Sequence, residues 1–428
     1  MKKSLMWIAI GIFVIIWCAT AAVAKEKIVW VTHAVIYETT GNGKLFEQFT
    51  KDTGIEIEVL TYPTDQLFTK VFTDLVAGGA SYDVVNFNDS MFNLDTYRFF
   101  EPLKPYMEKY PLPDGGLKDF VPGMVRQYAV PQTDNGTIYG LPNRMAPDIL
   151  FYRKDLFEKY KQKVPTTWEE FYKVAKALTI KDSSGSTEIY GAVIQGAPNN
   201  FGLHDWLGWV TSVGGSVLTP PDWAKPSMNS EPGLRQLKLR KKMIDEGIIS
   251  RAAVNYAFDD AINAMAQGKA AMIGMYAPYW ARLEDPKRSR VAGKIGHAVL
   301  PRDESVAHNY YNRGWGVMIP KGSKHKEAAW KFISFYTSLK SQLYAGLKGN
   351  AATRQSVFKH PEFQAAVPIA NALAQGAPRT TILPNVPNLF PAYEEIGRFL
   401  NSALTGEKTP EEALKASDAL LQSKLVKK

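Results

Sequence analysis

The chain has 428 residues, 45% hydrophobic and 22% charged, with 51 Lys and Arg against 42 Asp and Glu and a formal charge of +9. That is the mixture of a globular protein of about two to four domain-sized units. The 21 Phe, 20 Tyr and 10 Trp exclude a disordered chain, and 32 Gly with 26 Pro in no period exclude a collagen-like one.

At the N-terminus, Met1-Lys2-Lys3 is basic, Ser4 to Ala24 carries no charge, and Ala22-Val23-Ala24 precedes Lys25-Glu26-Lys27. A basic start, an apolar centre and an A-x-A end read as a secretory signal cleaved after Ala24, so the mature chain is expected in the periplasm. An uncleaved anchor is the alternative. Cys18, the only cysteine, lies inside this leader. The mature chain is therefore expected to hold no disulfide, no thiolate nucleophile and no cysteine-bound metal.

Beyond the leader, Lys27 to Thr32 reads as a short apolar strand, and Leu45, Phe46 and Phe49 as a helical face. Ile55, Ile57 and Val59 alternate with Glu56 and Glu58, the period of a strand. Asp65 to Ala77 carries Leu67, Phe68, Val71, Phe72, Leu75 and Val76 on a helical stripe closed by Gly78-Gly79, and Asp83 to Phe87 is a further strand. This βαβαβ order predicts an open, largely parallel sheet. Ile149 to Tyr152 is a strand, Asp155 to Tyr160 starts a helix, and Thr166 with Glu169 forms a capping box ahead of Phe171, Val174 and Leu178. A Gly/Pro/Asn-rich loop is expected over 196–202. A helix is expected from Asp259-Asp260 to Gly268, then strands at Ile295–Leu300 and Trp315–Ile319, and helices at Lys324–Leu339 and Pro391–Leu404. A last helix is capped by Thr409-Pro410-Glu411-Glu412.

Catalytic and cofactor patterns are missing. The six histidines, at 33, 204, 297, 308, 325 and 360, have no helical metal-ligand spacing, and no metal is expected. G-x-S-x-G, the Walker A loop and a strand-borne G-x-G-x-x-G are all absent. The densest basic run, Arg240-Lys241-Lys242, is short, so no nucleic-acid partner is expected. Aromatic residues do stand out, beside Gly, Pro and Asp in predicted loops: Trp206, Trp209, Trp223, Tyr276, Tyr279-Trp280, and Trp315 in Arg313-Gly314-Trp315-Gly316. An aromatic face matches the C–H face of a sugar ring, and Asp, Asn and Arg around it can serve its hydroxyls.

The motifs FEQFTKDTGIEIEV at 46–59, YDVV at 82–85 and YGLPNRMAPDILFYRKDL at 139–156 come in a telling order. They are followed by VPTTWEEFYKVAKAL at 164–178, QGKAAM at 267–272 and RGWGVMIPKGSKHKEAAWKF at 313–332. In that order, after a signal sequence, they resemble the family-1, maltose-binding-like extracellular solute-binding proteins that deliver substrates to ABC importers. The resemblance runs over essentially the whole mature chain. It implies an α/β, two-lobed periplasmic binding fold (type II), each lobe an open sheet flanked by helices, with about three hinge crossings. Lobe 1 is placed at 25–142 and 298–320, and lobe 2 at 143–297 and 321–428. It also implies a carbohydrate ligand in the interlobe cleft, delivered by hinge closure to permease subunits with a cytoplasmic ATPase. No cofactor, no catalysis and a monomeric chain go with this reading. The ligand-binding residues it implies are Asp89, Asp148, Trp206, Tyr276, Trp280, Trp315 and Arg354. A phosphorylated polyol is the narrower option, allowed by Arg144, Arg313 and Arg354. Two alternatives stay open on the sequence: a ligand-sensing subunit for a chemoreceptor, and a secreted carbohydrate-active enzyme working with Asp89 and Asp148.

Overall fold

The first strand is buried on both faces, and the arrangement around it follows from that. In the computed structural model, which describes residues 25–387 and 389–425, β1 spans Lys27–His33. The expected signal at 1–24 lies outside the described residues. Ile28 and Trp30 enter one core and Val31 the other, so the apolar run of β1 needs no alternation. β2 (Glu56–Tyr62) and β3 (Val84–Asn88) flank it in parallel. β2 is the sheet edge, and Glu56 and Glu58 on it pair with Lys25 and Lys27. Helix α1 (Thr64–Val76) covers the Val31 side with Leu67, Val71 and Leu75. Phe72 and Val76, expected on the same buried stripe, are exposed.

The remaining strands of this sheet are antiparallel to their neighbours. They are β4 (Gly140–Arg153), β5 (Met272–Tyr276), β6 (Ile295–Val299) and β7 (Asn312–Met318). The order is β6-β4-β7-β3-β1-β2, with β5 also on β4. β4 is 14 residues long and carries two sets of partners in succession. Its first half pairs with β7, down to Pro147 opposite Asn312; its second half pairs with β5, starting at Asp148 opposite Tyr276, and with β6. One continuous strand thus joins both parts of the sheet.

Six further helices matter for the site: α2 (Trp168–Ala177), α3 (Asn200–Thr211), α4 (Glu231–Asp245), α5 (Lys326–Tyr336), α6 (Leu389–Thr405) and α7 (Pro410–Leu425). The capping box of α2 falls one residue later than the sequence suggested. Thr167 Oγ1 accepts from the Glu170 amide, and Glu170 accepts from the amides of both Thr166 and Thr167. At α7 the predicted cap takes the form of a box: Glu412 N donates to Thr409 Oγ1 at 3.2 Å and Thr409 N to Glu412 Oε2 at 2.8 Å. The expected loop at 196–202 instead runs into α3, whose N-cap is Asn199.

The placement of 321–428 together in one lobe does not fit the packing. Helix α5 lies on β1: Phe332 and Tyr336 meet the Trp30 ring at 5.5 and 5.2 Å and fill the same core as Phe46 and Val317. The stripe Trp330, Phe332, Ile333, Tyr336 completes that core, which holds the helix beside the first strands. The chain after it returns to the same region, with Ala351 bridged to Met145 and Arg354 to Phe120.

Candidate functional site

Strand alternation gathers the chemistry. Arg144, Ala146 and Asp148 occupy every second position of β4 and so share one face. Their partners share it too: Trp315 opposite Arg144, Arg313 opposite Ala146, and Tyr276 opposite Asp148. Directly opposed residues stand about 4.5–5.5 Å apart at Cα. One sheet face therefore carries two arginines, a carboxyl and two aromatic rings. The odd positions Met145, Ile149 and Phe151 are fully buried in the larger core.

Glycines on either side of Trp315 let β7 close down on its other face. A Cβ at Gly316 would lie 2.8 Å from the Tyr128 ring, and one at Gly314 would strike Met124. With the reverse side so filled, the half-buried indole is held from below, while the His33 ring packs beside it at 5.7 Å between centroids. Burial, with Arg144 nearby, lowers the His33 pKa and keeps that ring neutral.

Asp89 follows β3 and is locked onto β7. Its amide donates to Gly314 O at 3.0 Å, and Gly314 N donates to its Oδ2 at 2.8 Å. Arg313 Nη2 donates to Asp89 Oδ1 at 3.2 Å and to Ser90 Oγ at 2.7 Å. Burial works against the Arg313 charge, but Asp89, Tyr276 and Tyr311 outweigh it and hold its pKa above the ordinary value.

Asp148 is different. It is 5% exposed, and among the described residues its carboxyl has no hydrogen bond or ion pair. Burial pushes its pKa well up, Asp205 adds to that, and Arg313 partly opposes it. Room for the carboxyl comes from α3, where Gly208 faces it and any Cβ would collide with Oδ2. Tyr276, half-buried, stacks on Phe258 with centroids 6.0 Å apart. Trp280, also half-buried, opens the short helix Trp280–Glu284 just after β5 and the turn at Ala277–Tyr279.

The structure thus brings Asp89, Asp148, Tyr276 and Trp315 to one face, with Trp280 a turn beyond it. Two residues singled out in the sequence lie elsewhere. Trp206 sits on α3 with no exposed surface, inside the large core; α3 is buried on nearly all sides, so its tryptophans are not in a loop. Arg354 is also fully buried, and its guanidinium is used up internally. It donates to the carbonyls of Thr337, Asp114 and Pro113, pairs with Asp119 at 3.2 Å and lies over the Phe120 ring at 4.3 Å. Neither lies on the β4 face. Sequence reasoning gave little weight to Arg144 and Arg313 and missed His33 and Gly208. The signal for Arg144 was present, in its even spacing from Asp148 within NRMAPD.

Residues 41–343 match the bacterial extracellular solute-binding protein family. The chain belongs to this family. A probable amino-acid ABC transporter periplasmic-binding protein of Sinorhizobium fredii is 25% identical over 88% of this chain and 83% of its own length. The mannitol-binding protein of Pseudomonas aeruginosa is 24% identical over 87% of each. Among solved structures, an ABC transporter solute-binding protein of Agrobacterium radiobacter in complex with ribitol superposes with a TM-score of 0.76. It is 26% identical, over 93% of this chain and 98% of the other. A maltose-bound MalE3 of T. maritima gives 0.77 at 28% identity, over 93% and 99%. The fold is therefore the two-lobed α/β fold of periplasmic binding proteins, with open sheets and flanking helices. This member is the substrate-binding component of an ABC transporter, a transport protein rather than an enzyme. No helix among the described residues is long and apolar enough to cross a membrane.

Proposed function

We propose that this solute-binding protein carries a carbohydrate or polyol, held between its lobes on the β4 face and released to the permease. The observation behind this reading is the half-buried Trp315 on one strand face with the unpartnered Asp148 carboxyl. A sugar offers C–H faces to an aromatic ring and O–H donors to a free acceptor, so it meets both. Asp89, Tyr276 and Trp280 would border the same ligand. The ribitol and maltose held by the two structural neighbours support the same class.

In this reading lobe 1 takes 25–147 and 312–356, and lobe 2 takes 148–311 and 357–425. The hinge crossings lie inside β4, between β6 and β7, and near Arg354. A ligand touching residues from both halves of β4 gains contacts only when the lobes approach, so it favours the closed form. The permease and its cytoplasmic ATPase would then read that form from a monomeric protein in the periplasm.

A thermal-shift screen of residues 25–428 against sugars, polyols, sugar acids, sugar phosphates, amino acids and polyamines tests this. A ligand at 100 times its dissociation constant adds roughly 2.7 kcal/mol to stability. Shifts confined to carbohydrates, and lost in Trp315→Ala, are expected. Shifts with amino acids alone would replace the carbohydrate reading with the ligand class named for the Sinorhizobium relative.

A further inference from the structure

The buried arginines of the described chain fall into two kinds. Arg153 is paired with Asp155, Arg240 with Asp205 and Arg354 with Asp119. Arg313, less deeply placed, has Asp89. Arg144 is only 9% exposed, and no carboxylate among the described residues pairs with it. Its one protein hydrogen bond runs from Nη1 to Asn350 Oδ1 at 3.5 Å, the outer limit of such a bond. The titratable groups that bear on it are the Tyr279 and Tyr336 hydroxyls and the neutral His33 ring. Burial lifts both phenols above their ordinary range, Tyr336 to about 12, so neither supplies negative charge near neutral pH.

Asp148 is no substitute partner. It stands four residues along the strand, about 13 Å away at Cα. The charges that move its titration are Asp205 and Arg313, not Arg144. The guanidinium is nevertheless oriented. Asn350 is buried, and its Nδ2 donates to Asn143 O at 2.9 Å, which turns its Oδ1 toward Arg144. Trp315 stands directly across the ladder from Arg144 on the same face. A buried cation beside a half-buried aromatic ring, braced but not neutralised, lacks one thing: a ligand atom with negative charge.

We propose that Arg144 receives an anionic group of the solute, a carboxylate or a phosphate, and that the transported compound is an acidic carbohydrate. The planar fork of a guanidinium suits either group. The sugar or polyol body then lies over Trp315, with hydroxyls directed to Asp148. This rests on the carbohydrate reading above and narrows it.

Calorimetric titration of the mature protein, of Arg144→Gln and of Arg144→Lys, uses two matched sets as probes. One is D-glucose, D-glucuronate and D-glucose 6-phosphate; the other is D-mannitol, D-mannonate and D-mannitol 1-phosphate. The expected result is an acidic member that binds about 10–100-fold more tightly than its neutral parent. Arg144→Gln erases that preference, so that acidic and neutral members bind alike, and Arg144→Lys restores part of it. The carboxylate and phosphate arms decide which anion is carried. Equal binding of neutral and acidic members, or a preference that survives Arg144→Gln, overturns the proposal and leaves the carbohydrate reading intact. Binding of inorganic phosphate or acetate as tight as that of any sugar acid keeps Arg144 as the anion site but removes the carbohydrate. A second measurement needs no ligand. Without its anion, Arg144 is an uncompensated buried charge, so ligand-free Arg144→Gln is expected to melt roughly 2–4 °C above the parent. A comparable fall would make Arg144 a structural residue and overturn the proposal.

Discussion

Two tryptophan-bearing regions of this chain use the same kinds of residue to opposite ends. Around α3, Trp206 is fully buried, Trp209 stacks on Trp168 with centroids 4.0 Å apart, and Arg240 lies over Trp209 while pairing with Asp205. On the β4 face, Trp315 is half-buried, Asp148 has no partner, and Arg144 has no counter-charge. The first region has its aromatic surfaces covered and its charges matched from within the chain. In the second, both are left incomplete. Residue type does not separate a core from a binding site here; the partly exposed ring and the missing counter-charge do, since the α3 region also holds unpartnered polar atoms, among them Trp206 Nε1 and His204 Nε2.

The sharpest way to break that comparison is to truncate one tryptophan from each region. Trp206→Ala is expected to lose about 3–5 kcal/mol of stability, read by urea denaturation, with the affinity of the folded fraction almost unchanged. Arg354→Gln is expected to belong with it: about 3 kcal/mol lost, because Asp119 loses its counter-charge and the carbonyls of Thr337, Asp114 and Pro113 lose their donor, and ligand preference unaltered. Trp315→Ala is the converse, with binding weakened by about 2–3 kcal/mol and a melting temperature close to the parent's. If Trp206→Ala abolished binding in a fully folded protein, the two regions would not be distinct.

A smaller effect sharpens the contrast at the point where the regions touch. Gly208 belongs to α3 but faces Asp148. Gly208→Ala should displace that carboxyl, at a stability cost of about 1–3 kcal/mol. Titration of the wild type and the variant with the ligand found in the screen should show weaker binding. The smallest effect is in pH. Burial and Asp205 raise the folded-state pKa of Asp148 above its unfolded value, so the folded protein holds this proton more tightly. The resulting stability is full below the unfolded pKa, near 4, and is lost as pH rises through the raised folded value, at no more than about 1.4 kcal/mol per pH unit. His297, lowered to about 4 chiefly by burial, acts in the opposite sense, with stability lost as pH falls from about 6.5 toward 4. Subtracting the Asp148→Asn profile from the wild type isolates the first slope; a flat difference would mean that Asp148 is solvated.

What could be read in advance follows the same physical line. β1, β2 and β3 were legible because their apolar runs and alternation come from the neighbours that cover them. Helix α3 was not, since a helix buried on nearly all sides shows little amphipathic period, and its N-cap lies in a Gly/Pro/Asn run that reads as loop. The same limit governs the site. Asp89, Asp148 and Trp315 were named through the family resemblance and fall on or beside one sheet face, whereas Trp206 and Arg354, named the same way, are covered by distant segments. Helix α5 had a clear apolar stripe, yet nothing in it named Trp30 as the surface it would cover.

β4 alternates between two duties at single-residue spacing: even positions from 144 to 148 face the site, and Met145 and Ile149 face the core. Adding or removing one residue upstream within this strand would exchange the two sets, placing methionine and isoleucine at the site and arginine and aspartate in the core. The strand's length is therefore fixed, while the identities at its even positions are open. A lineage built on this strand can change its cargo by replacing individual residues, but not by shifting the frame in which they stand.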